Sequence, residues 1–426
     1  MPAYARLVSG SAVDAAPLAR QYQSIRLATE ALSAPLSDED CAVQSMPDCS
    51  PAKWHLAHTT WFFETFVLEK QIADYRHFDP QYRVLFNSYY QTVGAQHARP
   101  QRGLLTRPSR REVMAYRCAI DQQLLELLSR GVCAEVACVI ELGLQHEQQH
   151  QELLLTDIKH LFGCNPLAPA YKGGERLIPH GTPGAVEWLR FGSGLHSFGH
   201  EGLRFAFDNE GPRHRAYLNA FELASRPVSN GEYLEFMHDG GYARPELWLS
   251  AGWDTVRAQN WQAPLYWQMR DGRWFVHTLR GVRELALDEP ACHLSFFEAD
   301  AYARYAGARL PTEYEWEWAA AGVPVEGNLL ESDSLHPMPS TEETHGLHQL
   351  YGDVWEWTAS SYSAYPGYKP VAGALGEYNG KFMCNQFVLR GGSCATPRTH
   401  IRASYRNFFG PEARWQFSGL RLARDA

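Results

Sequence analysis

His146-Glu147-Gln148-Gln149-His150 sets two imidazoles four residues apart. On a helix that spacing is about one turn, so both rings can reach a single ion. Leu142, His146, Gln149, His150 and Leu153 fall on one stripe at the 3.6-residue period. Such a stripe ordinarily carries core side chains, and this one carries two nitrogen donors. The five residues also fit the H-E-x-x-H pattern of zinc peptidases, in which the glutamate acts as general base. The extended form of that pattern needs a glycine and a third histidine, and those positions hold Leu153 and Thr156. A downstream carboxylate ligand would have to be a residue such as Glu175, in a Gly-rich stretch.

A better third donor lies upstream, in Trp54-His55-Leu56-Ala57-His58. His58 shares a helical face with Trp54 and Trp61, the interior face. His55 lies about 60° around the helix from it. The spacing therefore selects His58, His146 and His150 as the ligand set. Three neutral imidazoles on one side of an ion leave several positions open. That suits a redox iron binding two substrates and dioxygen, as a variant of the 2-His-1-carboxylate site. Zinc also accepts three histidines, so ligand type alone leaves the metal open.

The elements that must hold these residues come next. Helix spacing predicts helices over about 17–34, from Ser50-Pro51 (cap and first turn) through Leu68, over 110–130 and over 133–162. Together they make a four-helix bundle over residues 1–165. A Pro/Gly-rich linker over 166–185 follows. Residues 186–426 change texture, with short β-type runs and many Gly and Trp. Helices are predicted there from Phe296 to Ala306 and around Thr312 to Ala320, with Thr312 as cap. The fold class is α+β, in two domains.

The 426 residues carry a net charge of -9 without a basic stripe, which argues against nucleic acid as partner. No apolar run is long enough for a bilayer, and Met1–Gly10 lacks the apolar core of a signal peptide, so a cytoplasmic location is expected. Nine cysteines with no C-x-x-C pair read as reduced thiols, not as a zinc ribbon. Oligomeric state leaves no mark in the sequence.

Longer motifs carry a resemblance. Pro51-x-x-Trp54-His55-Leu56-Ala57-His58-Thr59-Thr60-Trp61-Phe62-Phe63-Glu64, with His146-x-x-x-His150-x-Glu152, resembles a DinB-type bundle. Pro227-Val228-Ser229-Asn230, Ala308-Arg309-Leu310-Pro311-Thr312-Glu313, Gly352-Asp353-Val354-Trp355-Glu356-Trp357-Thr358, Arg390-Gly391-Gly392-Ser393 and Gly419-Leu420-Arg421-Leu422-Ala423 resemble the formylglycine-generating, sulfatase-modifying fold, a C-type-lectin-like domain. The fusion is similar to the iron-dependent sulfoxide synthases of ergothioneine biosynthesis. Tyr89-Tyr90 and Gln96-His97-Ala98-Arg99-Pro100-Gln101-Arg102-Gly103 resemble the subgroup that uses cysteine in place of γ-glutamylcysteine. Formylglycine generation itself needs a cysteine pair shortly after Arg390-Gly391-Gly392-Ser393; Cys394 follows directly and 399–406 contains none.

The resemblance implies Fe(II) as cofactor, dioxygen as co-substrate, and two small-molecule substrates: hercynine, the trimethylated betaine of histidine, and a thiol or selenol donor. It implies Tyr90 as proton donor, with Tyr89 second, and Gln149 as a contact to the hercynine imidazole. It implies Arg99 and Arg102 as clamps for the donor carboxylate. Asn407, Phe408 and Phe409 resemble residues of the second domain that wall the substrate cleft, and aromatic faces suit a quaternary ammonium. Related activities on the same scaffold are selenium transfer from a selenosugar to hercynine and coupling of cysteine to histidine.

Overall fold

The computed structural model describes residues 12–174, 184–340 and 345–426. Met1–Gly10, Glu175 and the middle of the expected linker lie outside them. Two compact units are present. The first comprises the chain up to Asn165 with Gly202–Asp208 and Lys369–Lys381; the second holds Pro166–Glu201, Asn209–Tyr368 and Phe382–Ala426.

Four long helices build the first unit: α1 (Ala16–Ser33), α2 (Ala52–Phe63), α3 (Arg110–Ser129) and α4 (Ala134–Cys164). α1 and α2 each pack on both α3 and α4. Every residue of α2 is buried, the polar Lys53, His55, His58, Thr59 and Thr60 included. It runs on into a π-helical turn, Glu64–Leu68. Gly143 of α4 permits the close approach of α2, since a Cβ there would stand 2.5 Å from the Phe63 ring.

Buried charge ties the four helices together. Glu147 of α4 pairs with Arg26 of α1 at 2.9 Å and with Arg117 of α3 at 3.0 Å. Arg26 also donates to Thr60 of α2 at 2.9 Å and pairs with Asp121 of α3 at 2.7 Å. Each guanidinium and the carboxylate thus find partners where water cannot supply them.

One expectation of local structure needs correction. Ser50 does not cap α2. Pro51 takes the N-cap position (φ −59°, ψ 144°), and its carbonyl accepts from the Trp54 and His55 N–H groups. Ser50 serves buried charges instead: its N–H donates to Asp157 at 2.7 Å and its hydroxyl accepts from Arg102 at 2.9 Å. Among the described residues no long helix lies between α2 and α3. From Ile72 to Pro108 the described chain holds only short turns, at Tyr82–Leu85 and Arg99–Leu104. Pro80, Pro100 and Pro108, with Gly94 and Gly103, interrupt helix propagation there.

The second unit is irregular α+β. One sheet orders Asn407–Phe409, Phe387–Arg390, Trp355–Ser361 and Ser418–Gly419; another orders Ala423–Asp425, Phe221–Ala224 and Trp188–Phe191. Capping boxes start the helices Asn230–His238, Phe296–Tyr305 and Glu313–Ala319. The motifs of the resemblance meet as a buried ionic frame. Arg390 bridges Glu313 and Glu317, both at 2.9 Å, and Arg421 pairs with Glu356 at 2.7 Å. Glu356 also accepts from the Trp316 indole at 2.8 Å. These residues are spent on holding the fold, and Cys394 beside them is buried. Among the described residues no helix is long and apolar enough to cross a membrane.

Candidate metal centre

α2 contributes His58, and α4 contributes His146 and His150 one turn apart. One nitrogen of each lies within 4.8 Å of the others. His58 Nε2 is 3.2 Å from His146 Nε2. Two nitrogens at right angles about an ion with roughly 2.1 Å bonds would be about 3.0 Å apart, so the spacing suits a shared ion. His58 Nδ1 donates to the Phe86 carbonyl at 2.6 Å, which turns its Nε2 into a lone pair facing the cluster.

All three rings are buried. Burial first, then the neighbouring imidazoles, holds His58 and His150 well below the ordinary histidine range; burial, with His55 adding to it, takes His146 down to about 3. They are neutral donors at neutral pH. Trp54 stacks on His58 at 4.5 Å, Trp61 flanks it at 5.7 Å, and Phe62 lies 5.1 Å from His146. The donor set is therefore three nitrogens behind an aromatic wall. His55 adjoins the set through His150, with Nδ1 2.8 Å from His150 Nδ1 and Nε2 3.1 Å from Asp157.

Glu147, the general base of the peptidase pattern, is engaged by two arginines. Their charges hold its carboxyl at about 2 against the upward push of burial. It is not poised to take a proton from a metal-bound water, and the peptidase reading is set aside.

Tyr90 is buried, stacked on Tyr89 at 4.6 Å, with Trp61 at 5.6 Å and Phe66 at 5.1 Å. It is thus one ring removed from His58. Burial, with Tyr89 and Tyr378 nearby, pushes its phenol well above the ordinary range. Gln149 is half-buried and accepts a hydrogen bond from the Tyr378 hydroxyl. Arg102 is buried at 3 % exposure, with its guanidinium 3.4 Å above the Trp54 ring. It donates to the hydroxyls of Ser50 at 2.9 Å and Ser88 at 3.2 Å, and among the described residues no carboxylate pairs with it. Arg99 is exposed and donates to the Asp48 carbonyl. Asn407, Phe408 and Phe409 form an edge strand of the second unit. Phe408 stacks on Tyr362 at 4.0 Å and Phe409 meets Trp415 at 5.8 Å.

The sequence reading missed the segment Lys369–Lys381. Its Tyr378 ring lies 5.5 Å from His146. Glu377 accepts from the Gln91 and Thr92 N–H groups, each at 2.9 Å, and Lys381 donates to the Tyr89 carbonyl. Phe207, from Gly202–Asp208, stacks on Tyr378 at 5.4 Å. No periodic pattern marks these segments, and the Gln149–Tyr378 pair spans 229 residues.

Comparison with known proteins agrees with this architecture. Residues 21–154 match the DinB superfamily, and residues 185–335 and 331–426 match the sulfatase-modifying factor enzyme 1-like domain. The chain is 32% identical to "Hercynine oxygenase" of Mycolicibacterium smegmatis, over 91% of this chain and 94% of that one. It is 31% identical to "Hercynine oxygenase" of Mycobacterium tuberculosis, over 91% and 94%. "Ergothioneine biosynthesis protein 1" of Schizosaccharomyces pombe is 29% identical over 59% of this chain and 32% of that protein.

Proposed function

The chain belongs to the hercynine oxygenase family of oxidoreductases, and from that premise we propose that it is a non-haem iron(II) sulfoxide synthase. It would join the sulfur of cysteine to C2 of the hercynine imidazole. The observation that carries this reading is the buried set of three neutral imidazoles, His58, His146 and His150. Bound there, ferrous iron would supply the redox chemistry with dioxygen. One thiol, one imidazole C2–H and one O2 give the sulfoxide and one water, so the overall reaction needs no outside reductant. The C–S bond replaces the S–H and C–H bonds, and one oxygen atom stays on sulfur.

The chain's own residues supply the rest. Arg102 is a buried cation whose partners are two hydroxyls and an indole face. A buried cation with no carboxylate in contact, Asp157 acting on it only across Ser50, is costly, and the cysteine carboxylate would complete it in the geometry that guanidinium favours. Arg99, one turn earlier and exposed, would draw the same carboxylate in. Tyr378 fixes the amide of Gln149, and Gln149 would then orient the hercynine imidazole. Tyr90 keeps its proton at neutral pH and can release it from its hydroxyl to a developing anion; Tyr89 stacks behind it. The resemblance also assigns Asn407, Phe408 and Phe409 to substrate, and aromatic faces suit a trimethylammonium group.

The test is anaerobic loading with Fe(II), then hercynine and cysteine under oxygen, with products read by mass. The expected product is the hercynine–cysteine sulfoxide with oxygen consumed. Parallel reactions with γ-glutamylcysteine, a selenosugar donor, or histidine as acceptor should be slower. Faster turnover in one of them would reassign the substrate, and no oxygen consumption in any would overturn the reading.

A further inference from the structure

We propose that His55 and Asp157 are positioning residues, which fix the tautomer of His150 so that its Nε2 faces the metal. The inference rests on the metal reading above. The proton positions follow from the hydrogen bonds one at a time. The Ser50 N–H donates to Asp157 Oδ2 at 2.7 Å, so that oxygen is an acceptor. His55 Nε2 lies 3.1 Å from the same oxygen and must bring a proton to it. In the proposed arrangement His55 carries one N–H, spent on Asp157, so its Nδ1 is a lone pair. His150 Nδ1, 2.8 Å away, must then donate to it. Its one proton is thereby placed, and Nε2 is left as the donor. The opposite order, with an N–H on His55 Nδ1, would make His150 Nδ1 the acceptor and put a proton on Nε2, and the tautomer measurement below tells the two apart.

All four residues are buried, so water does not compete for these bonds. Their spacing follows from the helices. His55 lies one turn before His58 on α2, and Asp157 lies two turns after His150 on α4, on the same face. The three ligands are thus held differently. A backbone carbonyl orients His58. His146 Nδ1 has no partner among the described residues. His150 alone leans on a relay that ends in a carboxylate. Outer partners of this kind fix ring orientation and raise the basicity of the ligand nitrogen.

The test uses the full chain with Fe(II) under anaerobic conditions and Co(II) as a coloured substitute. His55→Phe should lower affinity for either ion roughly 10- to 100-fold and change the Co(II) visible spectrum. His55→Asn, whose amide oxygen can accept from His150 Nδ1, should recover most of the affinity and the spectrum. Asp157→Asn can keep both hydrogen bonds through its amide oxygen but drops the charge, and should fall between. In the metal-free protein, nitrogen NMR of labelled histidine should find His150 protonated at Nδ1. A folded His55→Phe protein with wild-type affinity and spectrum would overturn the relay, as would His150 protonated at Nε2. Should His55→Phe fail to fold, Asp157→Asn and the NMR tautomer still decide. Wild-type protein that takes up neither ion would overturn the metal reading instead, and the tautomer would judge the relay separately.

Discussion

Arg99 and Arg102 show how two residues of one type, three apart, acquire different work. In the sequence they are equivalent candidates for a carboxylate. One short turn, Arg99–Leu104, leaves the first exposed and buries the second over Trp54. Arg102→Met should therefore raise the KM for cysteine at least tenfold while hercynine affinity stays near wild type, by steady-state kinetics and calorimetry; equal loss for both substrates would assign Arg102 to the fold. Tyr90 is argued in the same way. Its phenol remains protonated through burial. In Tyr90→Phe the product should shift from sulfoxide toward cysteine sulfinate, read by mass, and an unchanged ratio would remove Tyr90 from proton delivery. The three histidines were legible because an i, i+4 pair and a Trp-flanked histidine state their faces directly. The Gln149–Tyr378 pair was not, because only tertiary structure joins residues so far apart in the chain.

Helices announced themselves where their ends were chemically marked. Ser109 with Glu112 and Thr312 with Glu315 form capping boxes, and the helices they start were expected. Ser229 with Glu232 carries the same signal, yet the helix Asn230–His238 went unread amid Gly-rich neighbours. Ser50 misled because two buried charges claimed its donor and acceptor. Within the bundle, Glu147 joins α1 and α3 to α4. Glu147→Gln removes the carboxylate shared by Arg26, which keeps Asp121, and Arg117, which keeps Glu30 at 3.4 Å, and should cost about 3 kcal/mol in chemical unfolding, the low end for a broken buried pair, whereas a solvent-facing glutamate would cost almost nothing. Glu377 clasps the Gln91–Thr92 backbone. Burial pushes its carboxyl up, but donors from Thr92, Gln91 and Lys381 outweigh that and hold it at about 2. Its folded value is thus depressed, so the clasp contributes fully above the ordinary glutamate range and is lost as pH falls toward 2. Amide exchange at Gln91 and Thr92, corrected for intrinsic rate, should stay protected at pH 5 and rise steeply below pH 4. In Glu377→Ala it should be fast throughout.

At the scale of the molecule, the change from bundle to lectin-like texture was written in composition, since Gly, Trp and short β runs replace long helical stripes after residue 185. Composition marks a boundary along the chain. It cannot say that Gly202–Asp208 and Lys369–Lys381 fold with the first unit, because their membership depends on tertiary contacts such as Tyr378 with His146, Glu377 with Thr92, and Phe207 with Tyr378. The long motifs of the second unit were legible as a resemblance, and their role proved to be buried ion pairing. The proposed chemistry rests on the three nitrogens of the first unit. The most direct measurement is electron paramagnetic resonance of anaerobic, Fe(II)-loaded protein treated with nitric oxide. The account predicts one S = 3/2 ferrous-nitrosyl signal per chain in the wild type, and its loss in each of His58→Ala, His146→Ala and His150→Ala. A signal that survives any of these substitutions in folded protein, or no signal in the wild type, would contradict it.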